Sequence, residues 1–318
     1  MIVNEFKRIV KNTFGHPFFS ASLLKNSLCI FCYHEVSDHP STFCREYDLN
    51  VFPENFEKQL EFIGQYFHFI SPLQLIKGEY PVPAALITFD DGMQGYFHNA
   101  IPILKKRNIP SINFLNMAPI EGEVFWIGLT TYLIKHDSKF RASIQKMANK
   151  KNGKIPLFLY CNKKIVNDFL ASQLNSQLLA DIREYYGRLA TLDDLESVAN
   201  NPLVFFGNHL HNHYNVLTLS EEELKEEYLL NEEKILGYPN GLPLFSYPFG
   251  QPKTCFNEHS TERIFSFGAK AIFYSSGSIN QAGQGVLYDR VSLGNEAQTI
   301  KELFSKLRYR KLRNCMNV

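Results

Sequence analysis

Three histidines lie within five residues, in the segment His209-Leu210-His211-Asn212-His213 that follows the apolar run LVFFGN. Neutral imidazole is the commonest protein ligand for metal ions, so this density of histidines indicates a metal site. If the segment turns helically, the first and last histidines share a face and His211 points away; if it is extended, all three align. Both geometries remain open here, and so does a polar loop in which the histidines are only hydrogen-bonded.

Two adjacent carboxylates form a second candidate feature. Asp90 and Asp91 follow the apolar run AALITF (84–89) and precede Gly92. At the carboxyl end of a barrel strand, such residues lie on the face where parallel α/β barrels place their chemistry. Successive strand side chains point to opposite faces, but a turn at glycine can bring both carboxylates into one cleft. Because the same residues also form ordinary turns, this motif alone does not decide between the two interpretations.

The elements that must position these residues follow an alternating pattern. Helical patterns separate short runs rich in β-branched and aromatic residues, which favours the α/β class with a parallel sheet closed into a barrel. These runs are 28–33, 67–70, 84–89, 111–115, 203–206, 243–247, 269–274 and 285–291. A helix is predicted over residues 52–67, opened by Pro53, and another is predicted from the capping box Ser220/Glu223 to Gly237.

The domain prediction has three parts. Residues 1–27 are predicted to form an N-terminal helical extension, residues 28–300 the barrel, and residues 301–318 a basic C-terminal helix or tail. From about 120 to 187 the chain carries long polar helical patterns with little buried-strand signal. This stretch is therefore predicted to be a helical insertion on the barrel.

Composition and charge exclude several classes of function. The chain has 318 residues, is 45% apolar, and carries 33 Lys+Arg against 32 Asp+Glu. A near-neutral protein has no global field for a phosphate backbone, so no nucleic-acid partner is expected. Six cysteines are too few for a disulfide scaffold. Cys29 and Cys32 lie in an apolar run and are predicted to be reduced core thiols.

No apolar stretch reaches the length of a signal-peptide core or a spanning helix. A cytoplasmic location is therefore expected. Two basic stretches, 7–11 and 306–314, leave peripheral contact with anionic lipid at the inner face of the membrane as an alternative.

The motifs, taken in order, resemble those of the NodB-homology polysaccharide deacetylases, carbohydrate esterase family 4. They are YHEV (33–36), FPENFEKQLEFI (52–63), TFDDG (88–92), GNHLHNH (207–213) followed by LTLSEEEL, and SYPFGQ (246–251). The resemblance covers residues 28–291 apart from the insertion and is closest to the branch that deacetylates poly-N-acetylglucosamine and related surface glycans. It implies a distorted (β/α) barrel of about seven parallel strands.

The resemblance also implies roles for the candidate residues. Asp90 matches the catalytic base, and Asp91, His209 and His213 match the metal ligands, which leaves His211 as a bystander. Nitrogen and carboxylate ligands suit Zn²⁺ best, with Co²⁺, Ni²⁺, Mn²⁺ or Fe²⁺ as alternatives. A backbone N–H in the third motif is implied as the donor to the oxyanion. That loop consists of Tyr247, Pro248, Phe249 and Gly250.

Two positions depart from the family pattern. The family's late histidine, its usual catalytic acid, has no match except His259 in a polar segment, so the YH histidine of the glycan branch, His34, is predicted to be the acid. Ser246 replaces the arginine that usually orients the base. Arg290, in the last predicted strand, is predicted to supply that guanidinium from across the barrel.

The implied reaction removes an N-acetyl group from an amino sugar. The expected substrate is a component or a nucleotide-, lipid- or glycan-linked precursor of a bacterial surface polysaccharide. Removal of a formyl group, opening of a cyclic amide, or glycan binding without catalysis are the alternatives. Four side chains are candidates for the lining of a sugar cleft, although packing is the favoured interpretation for each. They are Tyr33, Asn208, Phe249 and Trp126.

Overall fold

The computed structural model describes residues 24–150, 156–161, 163–283 and 285–295. The predicted basic C-terminal tail and the predicted N-terminal extension up to residue 23 lie outside these residues. Within the described residues, no helix combines the length and apolarity required to cross a membrane.

The strands follow the predicted runs closely. They are β1 (Ser27–Tyr33), β2 (Glu35–Val36), β3 (Asn50–Val51), β4 (His68–Phe69), β5 (Ala84–Asp90), β6 (Ser111–Leu115), β7 (Val204–Asn208), β8 (Gly241–Ser246), β9 (Ala271–Tyr274), β10 (Asn280–Gln281), β11 (Leu287–Asp289) and β12 (Val291–Ser292). The last predicted run is interrupted at Arg290, which separates β11 from β12.

Parallel pairing joins these strands into a barrel. The order is β1-β5-β6-β7-β8-β9-β11, and β12 pairs in parallel with β1, so the segment 287–292 closes the ring. The predicted α/β barrel with about seven parallel strands is thereby confirmed. The run at 67–70 contributes only the short β4, which pairs with β5 outside the ring. β10 is antiparallel to β1, and β2 with β3 forms a separate two-stranded sheet.

Both faces of the strands are buried, which explains why their sequences are continuous apolar runs. Ile30 and Leu86 belong to the cluster inside the barrel. Phe31 and Ile87 point outward and pack in the cluster shared with the surrounding helices. Asp90 continues the inward series of β5 because it lies an even number of residues after Leu86.

The helices are α1 (Thr42–Glu46), α2 (Pro53–Gly64), α3 (Pro72–Lys77), α4 (Ile101–Lys106), α5 (Met117–Ile120), α6 (Trp126–His136), α7 (Ser138–Lys150), α8 (Lys163–Gln173), α9 (Ser176–Tyr186), α10 (Leu192–Val198), α11 (Glu221–Leu236) and α12 (Glu258–Ser266). A π-helical turn (Tyr96–Ala100) and two 3-10 turns (Leu157–Tyr160 and Val216–Thr218) accompany them. Both helices predicted from capping signals occur: Pro53 opens α2, and the Ser220/Glu223 box caps α11.

Helices α6 to α9 lie between β6 and β7, in the stretch predicted to be an insertion. They share an apolar cluster that includes Leu129, Ile144 and Ile182 and that extends to Met93 and Tyr214 outside the insertion. Phe125, just before α6, brings its ring centroid to 6.1 Å from that of His213. The helical layer therefore packs directly against the histidine segment at the end of β7.

Candidate metal centre and active site

The candidate residues converge on one end of the barrel. His34 follows β1, Asp90 ends β5, and His209 follows β7. The loop 247–250 follows β8, and Arg290 separates β11 from β12. Since the carboxyl ends of parallel barrel strands share one face, residues far apart in sequence meet there.

A left-handed turn brings the second carboxylate into the site. Asp91 has φ 70° and Gly92 has φ 67°, so the chain turns sharply as soon as β5 ends. Without this turn, Asp91 would point away from the side of the strand that carries Asp90. The backbone N–H of Asp91 donates to the carbonyl oxygen of Phe114 at 3.1 Å, which ties the turn to β6.

The histidine segment adopts neither of the two regular geometries considered from the sequence. Leu210 and His213 both have positive φ, 62° and 59°, so the segment is an irregular turn. The turn brings the rings of His209 and His213 to a centroid distance of 4.6 Å. His211 lies apart from them, where its pKa is lowered mainly by burial.

Three donor atoms, two from this turn and one from the carboxylate, face one another. Oδ1 of Asp91 lies 3.0 Å from Nε2 of His213 and 3.5 Å from Nε2 of His209. Ligand atoms at bonding distance from one tetrahedral or octahedral ion are about 3.0–3.5 Å apart. The spacing therefore fits a single cation held by the three side chains that the sequence resemblance implies.

The tautomer of His209 supports a metal ion at this position. Its Nδ1 lies 2.8 Å from the carbonyl oxygen of Ser246, which can only accept, so Nδ1 carries the proton. In the neutral ring, Nε2 then offers a lone pair toward Asp91 Oδ1, a buried atom without a hydrogen bond of ordinary geometry among the described residues. Lone pairs that converge in this way repel unless a proton or a metal cation lies between them, and the chemistry of this nitrogen and carboxylate donor set fits a divalent metal ion.

Arg290 holds the other carboxylate from across the barrel. Its Nη1 donates to Oδ1 of Asp90 at 2.7 Å, and its Nη2 donates to Oδ2 at 2.6 Å. Nε donates to Ser275 Oγ at 3.2 Å, and the guanidinium lies over the Phe114 ring. This paired geometry fixes the orientation of Asp90. That Arg290 takes the place of the arginine missing at Ser246 stays a prediction.

The charges in the site set the ionisation of both carboxyl groups. Burial by itself raises the pKa of Asp90, but the neighbouring Arg290 guanidinium and His209 together bring that pKa below its ordinary value. Burial also opposes ionisation of Asp91, but at the acidic pH where this carboxyl group titrates, the positive charge of the His213 imidazole brings the pKa of Asp91 well below its ordinary value. Both groups are therefore carboxylates at neutral pH.

Comparison with known protein families identifies one match. The model described as polysaccharide deacetylase matches residues 77–272, more than half of the chain. The chain belongs to the polysaccharide deacetylase family. Among curated proteins, none matches this sequence significantly.

Solved structures of deacetylases share the fold. IcaB from Ammonifex degensii superposes with a TM-score of 0.58 at 18% identity, over 88% of this chain and 97% of that chain. The Streptococcus pyogenes deacetylase PplD, in complex with acetate, gives 0.55 at 16% identity, over 89% and 99%. A de-N-acetylase from Aggregatibacter actinomycetemcomitans gives 0.53 at 15% identity, over 83% and 94%.

In this family member, His34 lies at the edge of the site. A ligand atom of its ring and one of Cys32 lie within 4.8 Å of a carboxylate oxygen of Asp90. The Cys32 thiol donates to Asp90 Oδ2 at 3.5 Å. Burial raises the pKa of this thiol, so it stays protonated and can donate. His34 is half-buried, whereas Asp90, Asp91 and the paired imidazoles are at most 5% exposed.

The third-motif loop narrows the choice of oxyanion donor. The N–H of Tyr247 already donates to the Phe273 carbonyl oxygen at 3.0 Å, and Pro248 has no N–H. The predicted donor must therefore be the N–H of Phe249 or of Gly250. Phe249 has φ 63°, and its ring centroid lies 4.9 Å from that of His213, so this residue is beside the ligands.

Three of the four candidates for the lining of a sugar cleft are packing residues. Tyr33 is buried and donates its hydroxyl to Gln59, and Asn208 donates to Glu232 and to the Tyr228 carbonyl oxygen. Trp126 is buried and stacks on Tyr214, the residue that follows His213. The favoured packing interpretation therefore applies to these three, because strand ends and helix starts that adjoin the site also supply its supporting core. Phe249 alone of the four is half-buried at the site.

Sequence reasoning missed two groups. The sequence predicts Cys32 only as a reduced core thiol, although the two-residue alternation that points Ile30 inward also points Cys32 toward Asp90. Glu227 lies outside the recognised motifs. Its carboxylate, on α11, accepts two hydrogen bonds from Asn212 in the histidine turn. The available signal was the position of Glu227 on the buried face of an acidic helix, three residues after Leu224 and next to Tyr228.

Proposed function

We propose that this protein is a metal-dependent N-deacetylase acting on an amino sugar of a bacterial surface polysaccharide or of its precursor. The observation that carries the proposal is the convergence of Asp91, His209 and His213 beside the ion-paired Asp90. The deacetylase family supports hydrolysis of N-acetyl amides of a glycan. Metal dependence and the particular substrate are the proposed extensions.

A divalent cation supplies a positive charge that polarises an acetyl carbonyl and lowers the pKa of water. Zn²⁺ is proposed because two imidazoles and a carboxylate, with further positions open, form its usual hydrolytic ligand set. Co²⁺, Ni²⁺, Mn²⁺ and Fe²⁺ accept the same donors. Asp91, His209 and His213 would hold the ion.

The remaining residues handle protons and charge. Asp90, kept ionised by Arg290, accepts a proton from the water that attacks the acetyl carbonyl. The N–H of Phe249 or Gly250 donates to the oxyanion that develops on the carbonyl oxygen. The amine leaves protonated, and His34, on the half-buried rim beside Asp90, is proposed to donate that proton.

The test is acetate release by purified protein. The protein is stripped with a chelator, reloaded with one metal at a time, and incubated with N-acetylglucosamine, its oligomers, and nucleotide- and lipid-linked N-acetyl sugars. Mass spectrometry then detects loss of one acetyl group together with a new amine. Metal-dependent release by the wild type, absent from the Asp91→Ala variant, supports the proposal.

Two outcomes contradict it. Turnover of N-formyl sugars or small cyclic amides without turnover of N-acetyl sugars would assign a different amide substrate. Saturable sugar binding without product, with metal present, would indicate a glycan-binding protein. The cytoplasmic location and the contact of the basic termini with lipid remain predictions.

A further inference from the structure

A buried glutamate on α11 holds the turn that carries the two imidazoles. Glu227 is 2% exposed, and its Oε2 accepts the backbone N–H of Asn212 at 2.8 Å. Its Oε1 accepts the side-chain amide of the same asparagine at 2.9 Å. The backbone carbonyl oxygen of Glu227 also accepts the N–H of His211 at 3.1 Å. Three bonds from one residue therefore fasten the middle of the turn.

These bonds matter because the turn has an unfavourable backbone. Leu210 and His213, on either side of the fastened pair, both have positive φ. Residues other than glycine rarely adopt this left-handed backbone conformation, which costs about 1–2 kcal/mol for each residue. Surrounding contacts must therefore maintain the conformation. The N–H of Leu210 is bonded to Asn208 Oδ1 at 2.9 Å, so β7 fixes one end of the turn while Glu227 fixes its middle.

The insertion supplies the counter-charge of this carboxylate. Nζ of Lys163, the first residue of α8, lies 3.6 Å from Oε1 of Glu227 and 3.3 Å from Oε2 of Glu226. Burial raises the pKa of Glu227, and the Asn212 bonds and Lys163 oppose that rise. The helical layer thus contacts the site not only through Phe125 but also through the group that shapes the histidine turn.

We propose that Glu227 is a positioning residue for the metal site: by fastening Asn212, it presents Nε2 of His209 and His213 toward Asp91. The inference rests on the metal site of the proposed function and is independent of the substrate. Hydrogen-bonding partners that orient metal ligands contribute about 10- to 100-fold to metal affinity, as their removal shows. A comparable loss is expected here.

The test measures Co²⁺ affinity of the metal-free full chain from the visible absorption of the bound ion. Glu227→Met keeps the length of the side chain but removes both acceptors, so Co²⁺ affinity should fall by about 10- to 100-fold. Glu226→Met is the matched control: it removes the exposed neighbour that also contacts Lys163, and its affinity should match that of the wild type.

Glu227→Gln separates positioning from general destabilisation. The negative charge is not needed in this scheme, because the carbonyl oxygen of the introduced amide can accept the Asn212 N–H while its NH₂ group donates to a flipped Asn212 amide. The Co²⁺ affinity of Glu227→Gln should therefore lie within about threefold of the wild-type value, whereas that of Glu227→Met should be about 10- to 100-fold lower. A role in stability alone would not produce a change in Co²⁺ affinity that the glutamine substitution reverses.

Two results overturn the inference. One is wild-type Co²⁺ affinity in folded Glu227→Met or, if that variant does not fold, in Glu227→Ala, which also removes both side-chain acceptors. The other is absence of Co²⁺ binding by the wild type, which removes the metal site itself. Metal binding that depends on Glu227 but comes without deacetylation contradicts only the proposed function.

Discussion

Asp90 is held by Arg290 through two short hydrogen bonds, an arrangement with opposing consequences for a base. The guanidinium keeps the carboxylate ionised although it is buried, because it brings the pKa of Asp90 below its ordinary value. The same pairing makes the carboxylate less basic. Orientation and availability of the charged form are therefore favoured at the expense of proton affinity.

Replacement of Asp90 tests its role as base. Asp90→Asn keeps the shape of the side chain and one acceptor for Arg290, so the metal ligands should stay in place. Turnover should fall by about 10²-fold or more because the amide cannot take a proton. Metal content by elemental analysis and acetate release by the same sample provide the measurement, and near-normal turnover would exclude Asp90 as the base.

The ion pair is also expected to matter for stability. Arg290→Met leaves Asp90 as an unpaired buried charge, which should lower the free energy of unfolding by about 3–5 kcal/mol. Denaturant unfolding measures the loss. The double variant Asp90→Asn/Arg290→Met should be less destabilised than the sum of the two single variants. Purely additive losses would mean that the two side chains do not stabilise each other.

Glu35, next to the proposed acid, should make stability depend on pH. Burial raises the pKa of Glu35 to about 7 in the folded protein, from an ordinary value of 4.5. Between those values the folded state binds more protons than the unfolded state, so the free energy of unfolding falls as pH rises, by about 3 kcal/mol at most.

Comparison with a glutamine variant isolates this effect. Glu35→Gln does not titrate, so its unfolding free energy relative to the wild type should increase from pH 4.5 to pH 7. Urea unfolding at several pH values measures the difference. The exposed Glu61→Gln serves as a control and should follow the wild type. Parallel curves for Glu35→Gln and the wild type would contradict a protonated Glu35.

The turn after β5 depends on the left-handed backbone conformation of Asp91 and Gly92. Gly92 has φ +67°, and a Cβ there would lie 2.9 Å from Ile120 Cδ1 and 3.1 Å from Leu115 Cδ2. Gly78 has nearly the same φ, +70°, but has no atom within 4 Å of an added Cβ among the described residues. A comparison of Gly92 with Gly78 therefore separates the effect of backbone strain from the effect of steric crowding.

Alanine at the two glycines should have different effects. Gly78→Ala should cost about 1–2 kcal/mol in unfolding free energy from the left-handed backbone alone. Gly92→Ala should cost more because buried neighbours must shift, and it should also weaken Co²⁺ binding because Asp91 is the preceding residue. Equal losses of stability, with unchanged metal affinity, would show that the turn tolerates the added methyl group.

Closure of the barrel brings together metal-ligand residues that lie more than a hundred residues apart in the sequence. Asp91 follows β5, whereas both imidazoles follow β7, and the unfolded chain has no such preformed site. Bound metal should therefore stabilise the folded state, by about 2.7 kcal/mol when free metal is at 100 times its dissociation constant. Thermal unfolding with and without Zn²⁺ measures the effect.

Two variants define the specificity of that stabilisation. Asp91→Ala should show no increase in unfolding temperature with Zn²⁺, because one of the three ligands is gone. His211→Ala should keep the increase, since His211 lies away from the converging nitrogen atoms. Loss of the effect in His211→Ala would restore the alternative in which all three histidines bind the ion.

Much of the architecture was predictable because it depends on local signals. The apolar runs predicted the strands of the ring, since strands buried on both faces need continuous apolar sequence. Capping residues predicted the starts of α2 and α11. The interruption at Arg290 was not predictable, because it depends on how the last strand bridges β9 and β1.

The sequence by itself determined the alternation of strands and helices, the inward position of Asp90 through its two-residue alternation with Leu86, and the presence of carboxylate and imidazole donors. Only the tertiary structure decided that Asp91 turns into the site, that Arg290 pairs with Asp90, and that Glu227 fastens the histidine turn. The physical reason is that the first set follows from period and composition along a few neighbouring residues. The second set depends on distances between strand ends, which are fixed only when the parallel sheet closes.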